Sequence, residues 1–224
     1  LPVAREDRRS YLTRRWDLDE SWSRGKFTIL PHNDNYLMPV TYNGDHYRTE
    51  ADENYTVKEV EPTEAQYQIS FKTKAWQDIL GSKTDLWLGY TQKSFWQLYN
   101  VEESAPFRET DYEPELLVNY RADVDLLGIR LRTLTAGLNH QSNGCSEPNS
   151  RSWNRVTGSL GLERGNFTLL LKSWYRIPEA REDDDNRDID DYFGPGEIQT
   201  YYLKNNHRFG VLLRNNFQSD NRTT

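Results

Sequence analysis

Residues 134–162 read LTAGLNHQSNGCSEPNSRSWNRVTGSLGL, two alternating runs joined by a polar loop that holds glycine and proline. Side chains two apart on a strand point the same way. On the first run Leu134, Ala136, Leu138, His140 and Ser142 therefore share one side. On the returning run Asn154 shares a side with Val156, Gly158, Leu160 and Leu162. Each apolar stripe thus ends in polar, chemically capable groups. This is the pattern of an antiparallel hairpin with one greasy face, and it sets a histidine, a serine and an asparagine at the end of that face.

The same period runs through most of the chain. In 66–76, Tyr67, Ile69, Phe71 and Ala75 alternate with Gln66, Gln68, Ser70, Lys72 and Lys74. Leu86, Leu88 and Tyr90 fall together in 85–99, and Leu116, Val118, Tyr120 and Ala122 in 113–122. Further strands are expected at 127–140, 152–162, 166–177, 197–205 and 208–217. The links 100–111, 141–150 and 178–195 are long, whereas turns near 123–125, 163–165 and 205–207 are tight. Long loops on one rim and short turns on the other suit an up-and-down membrane barrel. Strands of ten or more residues suit it too, since about 9–11 tilted residues cross a bilayer.

Composition leaves two all-β solutions open. Of 224 residues, 13% are aromatic, including 14 Tyr and 7 Trp, while the hydrophobic fraction is only 35%. A barrel whose polar lumen dilutes an apolar exterior gives these values, and so does a soluble carbohydrate-binding sandwich. No run is apolar and long enough for a transmembrane helix. The net charge of −7 argues against nucleic acid as a partner, because phosphate contacts need a basic surface. With Cys145 the only cysteine, no internal disulfide forms and a multi-cysteine zinc site is excluded. No signal peptide is visible, so the chain reads as cytosolic or already processed. Residues 1–25 are highly charged, lack alternation and read as an N-terminal arm or a short amphipathic segment; residues 26–224 read as the barrel domain.

A serine hydroxyl is a poor nucleophile until a base takes its proton, and a histidine base needs a third group to hold its tautomer. His140 and Ser142 lie two apart on one face, and Asn154 sits across the hairpin where it can accept from the imidazole. An asparagine orients the ring but lends it no charge, so a further source of electrostatic stabilisation is expected, with a metal the obvious candidate. The acidic run EAREDDDNRDIDD (179–191) lacks the glycine and the spaced glutamate of an EF-hand loop and reads as a solvated rim. Glu102 and Glu103 are adjacent on a loop and define no carboxylate separation. Gly194 and Gly196 flank Pro195 and mark a turn without phosphate-cradle spacing.

Three segments carry a resemblance: YTQKSFWQL (90–98), EESAPFRETDYEP (102–114) and NHQSNGCSEPNSRSWNR (139–155). In order and spacing they resemble bacterial outer-membrane phospholipase A, a family of twelve-stranded, calcium-dependent, dimeric barrels that hydrolyse phospholipid esters. The likeness extends from about 27 to 217 and is poor over the first 25 residues. It implies an antiparallel up-and-down transmembrane β-barrel in the outer membrane of a Gram-negative bacterium. About nine strands are expected here, so the chain reads as a barrel lacking its C-terminal strands. By position, the resemblance makes Ser142 the nucleophile, His140 the base and Asn154 its orienting residue, with the Gly144 N–H in the oxyanion hole. It implies calcium (Ca2+) held by the Ser150 hydroxyl, the Cys145 carbonyl and the Ser104 loop of a second copy. Cys145 stands where an arginine is usual, a change that a carbonyl ligand tolerates. Gln92, beside Tyr90, is expected in the homodimer interface, and membrane phospholipid is the implied substrate. A barrel that only conducts or binds is the competing reading.

Overall fold

The computed structural model describes residues 10–43, 60–146, 149–180, 184, 187 and 189–215. They form one antiparallel sheet of ten strands. In chain order these are β1 (Ile29–Pro31), β2 (Tyr36–Tyr42), β3 (Thr63–Trp76), β4 (Thr84–Trp96) and β5 (Phe107–Leu126). Then come β6 (Ile129–Ser142), β7 (Ser152–Arg164), β8 (Phe167–Arg176), β9 (Gly196–Lys204) and β10 (His207–Arg214). From β3 onward each strand pairs with the next. β1 and β2 pair with separate stretches of the same edge of β3, so ten strands fill nine positions, in agreement with the count read from the sequence. Two short helices, α1 (Tyr11–Trp16) and α2 (Ile189–Phe193), complete the described elements.

The polarity of the sheet is inverted relative to a water-soluble protein. Ile69 is 50% exposed and Leu138 52% on the convex side, along with Leu88, Leu116, Val118, Leu134 and Val156. The concave side buries Lys72, Lys74, Asp85, Glu115, Asn119, Arg121, Arg132 and Arg155. Alternation therefore reads correctly in the sequence as two faces, with the apolar one outward. No helix among the described residues is long and apolar enough to cross a membrane. Long strands with an apolar exterior and a charged interior fit an outer-membrane barrel.

Part of the concave side is packed by residues 10–18, which lack any strand signal. Ser10 caps α1 by accepting the Thr13 N–H at 3.1 Å, and Asp17 ends it in the left-handed region. Leu12, Trp16 and Leu18 pack with Leu30, Trp87, Leu117 and Tyr201. The Leu12 N–H donates to Glu163 at 2.9 Å, Arg132 reaches Asp19 at 3.0 Å, and Lys74 lies 2.9 Å from Asp17 and 3.4 Å from Asp85. Gly161 makes room for this packing: a Cβ there would stand 2.7 Å from Thr133 Cγ2 and 2.8 Å from Leu12 Cδ1. Curvature brings distant parts of the sheet together. Arg208 of β10 pairs at 3.0 Å with Asp34, between β1 and β2, and donates to the Tyr11 hydroxyl at 3.1 Å.

One turn lies elsewhere than the sequence suggests. β5 does not end at Ala122 but continues to Leu126, and the chain reverses at Leu127 (φ 56°) and Gly128 (φ 83°). Two consecutive positive φ angles make the tight hairpin turn that matches strand twist. The residues expected to turn, near Asp123, form a bulge instead: the β5–β6 register shifts between Arg121 and Val124, with Asp123 at φ 50°. An aspartate tolerates that conformation, so DVD resembles a turn while serving as a kink.

Lys74→Ala removes the cation between Asp17 and Asp85, both buried. We expect destabilisation of about 3–5 kcal/mol, the scale for breaking a buried pair. Denaturant unfolding in detergent, followed by tryptophan fluorescence, measures it.

Candidate active site

β6 and β7 meet at the long-loop rim with His140 opposite Asn154 and Ser142 opposite Ser152. All the expected triad residues lie on the convex face, continuous with Leu138 and Val156. His140 Nδ1 is 2.8 Å from Asn154 Oδ1. The amide oxygen only accepts, so His140 donates from Nδ1 and keeps Nε2 as its basic nitrogen. The Asn154 Nδ2 donates in turn to Glu179 Oε1 at 2.6 Å. A carboxylate oxygen here is an acceptor, which fixes the direction of the Asn154 amide.

The loop after β6 is built on Asn143. Its Oδ1 accepts from the N–H groups of Cys145 (3.2 Å) and Arg151 (3.0 Å), while its Nδ2 donates to the Asn149 carbonyl at 2.9 Å. The Asn143 N–H also reaches the Arg151 carbonyl at 3.0 Å. Within this frame Gly144 has φ +72°, and a Cβ there would stand 3.2 Å from the Tyr112 ring. The positive φ favours glycine, and a side chain would also crowd the ring. Tyr112 is the cross-strand partner of Ser142 on one side and of Gln92 on the other, so Gln92, Tyr112 and Ser142 form one row across β4, β5 and β6.

The remaining expected residues divide between two loops. Cys145 and Ser150 belong to the 143–151 loop beside the triad; Cys145 is exposed and Ser150 is half-buried. Ser104 lies in the other loop, between β4 and β5, at φ 62° with its N–H on the Val101 carbonyl at 3.1 Å. Among the described residues no three His, Cys, Asp or Glu side chains converge on a metal position. The expected donors are hydroxyl and carbonyl oxygens instead, a set that suits a hard cation such as calcium. Gln92 is held within its own sheet: Tyr90 donates to its Oε1 at 3.3 Å, and its amide Nε2 donates to Ser94 at 3.2 Å.

Sequence reading missed Asn143, Tyr112 and Glu179. Glu179 heads the acidic run that reads as solvated rim, yet its carboxylate holds Asn154. A signal for it exists in the register. The Ile177 N–H binds the Asn154 carbonyl at 2.8 Å, so period 2 carried past the end of β8 puts residue 179 near the site. That register needs strand pairing, which composition does not give. Of the other acidic candidates, Glu103 is tied by its N–H to Asn100 Oδ1 at 3.2 Å within the 97–106 loop. Gly194 takes φ 66° in a turn, and Gly196 opens β9.

A sequence-family model described as phospholipase A1 matches residues 12–224. The phospholipase A1 of Klebsiella pneumoniae is 40% identical over 188 residues, covering 84% of this chain and 62% of that protein. The phospholipase A1 of Escherichia coli K12 is 42% identical over 177 residues, covering 79% of this chain and 60% of that one. The chain thus spans about three fifths of the length of these relatives. In three dimensions the outer membrane phospholipase of Salmonella typhi, a dimer with bound calcium, superposes with TM-score 0.76 at 39% identity, covering 85% of this chain and 73% of that one. The outer membrane phospholipase A of E. coli gives 0.75 at 37%, covering 85% and 78%.

Asn143→Ala removes three hydrogen bonds from the 143–151 loop. At about 1 kcal/mol for each, hydrogen exchange at the Cys145 and Arg151 amides should quicken roughly fivefold or more. The amides of the β6–β7 ladder should be unchanged, and exchange measured by NMR or mass spectrometry checks both.

Proposed function

The chain belongs to the phospholipase A1 family, and on that premise we propose that it hydrolyses acyl ester bonds of membrane phospholipids and lysophospholipids from the lipid-facing side of an outer-membrane barrel. The observation that carries this reading is the His140–Asn154 hydrogen bond of 2.8 Å on the apolar face, with Ser142 two residues further along the same strand. A histidine oriented by an amide among hydrocarbon-facing side chains has a chemical use there and no packing use.

In this mechanism Ser142 Oγ attacks the ester carbonyl while His140 Nε2 takes its proton. Asn154 accepts from Nδ1 and keeps the ring in the tautomer that leaves Nε2 basic. The tetrahedral oxyanion receives the Gly144 N–H, whose direction is set by the positive φ and by the packing against Tyr112. His140 then returns the proton to the leaving lysolipid oxygen and activates the water that cleaves the acyl-enzyme. Leu138 and Val156, next to His140 and Asn154 on the convex face, give the acyl chain an apolar path.

Calcium, when bound, would supply positive charge beside the developing oxyanion. The Ser150 hydroxyl and the Cys145 carbonyl would hold it together with Ser104 of the partner subunit. Cys145 serves through its backbone, so its side chain does not enter the donor set. The active form is a homodimer, in which Gln92, with Tyr90 beside it, exchanges hydrogen bonds within its own sheet for bonds across the interface. The setting is the outer membrane of a Gram-negative bacterium, with lipid as partner and no nucleic acid.

Ser142→Ala is expected to cut hydrolysis of phospholipid in mixed micelles by at least about a thousandfold, the scale for losing a triad member. Retention of full activity would sink the assignment. EDTA should abolish activity and added calcium restore it, assayed as released fatty acid. Gln92→Leu should lower the cross-linked dimer fraction and reduce activity in proportion.

A further inference from the structure

We propose that Glu179 is a positioning residue of this site: its carboxylate fixes the direction of the Asn154 amide, and so the His140 tautomer, and supplies the negative charge that an asparagine lacks. The proposal rests on the Ser142–His140–Asn154 reading.

An asparagine in a triad has a weakness that an aspartate does not. Its side chain ends in an acceptor on one side and a donor on the other, and the two differ little in shape. With Oδ1 toward His140, Nδ1 keeps its proton and Nε2 is basic. With the amide reversed, Nδ2 would face Nδ1, the proton would move to Nε2, and the base would be lost. Glu179 decides between these states. Its Oε1 lies 2.6 Å from Nδ2, so reversal would set the amide oxygen against a carboxylate. Charge-assisted bonds of this kind are about twice as strong as neutral ones.

The backbone that carries the carboxylate is anchored. Ile177 is anchored to the Asn154 carbonyl at 2.8 Å, and Pro178, with its fixed φ, is the only residue between that anchor and Glu179. Glu179 is half-buried at the edge of the site. As Ser142 attacks, His140 becomes an imidazolium, and the chain His140–Asn154–Glu179 ends in a negative charge that polarises the amide toward it. No bond is made or broken at Glu179.

The test uses the full chain in mixed phospholipid–detergent micelles with saturating calcium. Glu179→Ala should lower kcat ten- to a hundredfold with KM within twofold of the parent. Glu179→Gln keeps an acceptor for Nδ2 and loses only the charge, so its loss should be smaller. Asn154→Asp faces the existing carboxylate with a second one and should lose at least a hundredfold. Adding Glu179→Gln to Asn154→Asp restores a donor–acceptor pair and should recover at least tenfold of that loss, a rescue that a merely structural role would not give.

A kcat for Glu179→Ala within twofold of the parent overturns the proposal. So does a change confined to KM, or a double variant no better than Asn154→Asp alone. Ser142→Ala separates the two levels. If it abolishes hydrolysis while Glu179→Ala has no effect, only the role of Glu179 falls; if it leaves hydrolysis intact, the triad reading itself falls.

Discussion

Lys74 lies buried between Asp17 and Asp85 on the concave side of the sheet, 2.9 Å and 3.4 Å away. That contact expresses the constraint from which the rest of the structure follows. In hydrocarbon every backbone N–H and C=O must be paired within the protein, which favours long antiparallel strands joined edge to edge. Such a sheet has two faces, and the one toward lipid takes the apolar residues. Charged side chains are left to the interior, where each needs a partner. His32 and Lys172 flank Glu115, Arg132 meets Asp19, and Arg155 meets Glu113 on the same terms. Several of these partners come from residues 17–34, upstream of the long strands. Residues 17–34 are therefore part of the interior chemistry.

The inverted arrangement also explains why the proposed constellation on the convex face is informative. Polar groups there have no lumen to enter, and they occur where the sheet reaches the long-loop rim. Gln92, Tyr112 and Ser142 occupy one cross-strand row, with His140 and Asn154 beside it. In the proposed function a substrate would reach this row from the lipid side, with its ester at the rim and its chain along Leu138 and Val156. The adjacent 143–151 loop carries Gly144, Cys145 and Ser150, the residues of the proposed oxyanion and calcium sites. One hairpin end thus carries most of the proposed chemistry, and Ser104 in its separate loop is the part a second copy would supply.

Legibility differed between the parts of the molecule, for physical reasons. Period 2 in 66–76 and 134–162 revealed both faces, because the pleat makes alternation unavoidable once one side is apolar. The tight turns at Gly165 and at Asn205 were visible in their residues. The reversal at Leu127–Gly128 was not, since DVD offers the same left-handed tolerance a few residues earlier and only strand pairing chooses between them. Residues 10–23 gave no periodic signal because a six-residue helix inside a polar cavity needs no long apolar stripe. Glu179 was hidden for a similar reason: in sequence it is the first member of a charge run, and only its neighbour across the sheet distinguishes it.

The sequence by itself determined the all-β architecture, the two faces, the rim on which the long loops lie, and the placement of His140, Ser142 and Asn154 on one face at a hairpin end. These follow from local geometry, in which each side chain's direction depends on its own strand. Tertiary structure alone decided which charges neutralise one another across the interior, that Arg208 on β10 reaches Asp34 between β1 and β2, and which way the Asn154 amide points. Each of these depends on the pairing of residues far apart in the chain, as Asn154 and Glu179 are brought to 2.6 Å by the register of β7 and β8. No spacing along a single strand encodes that distance.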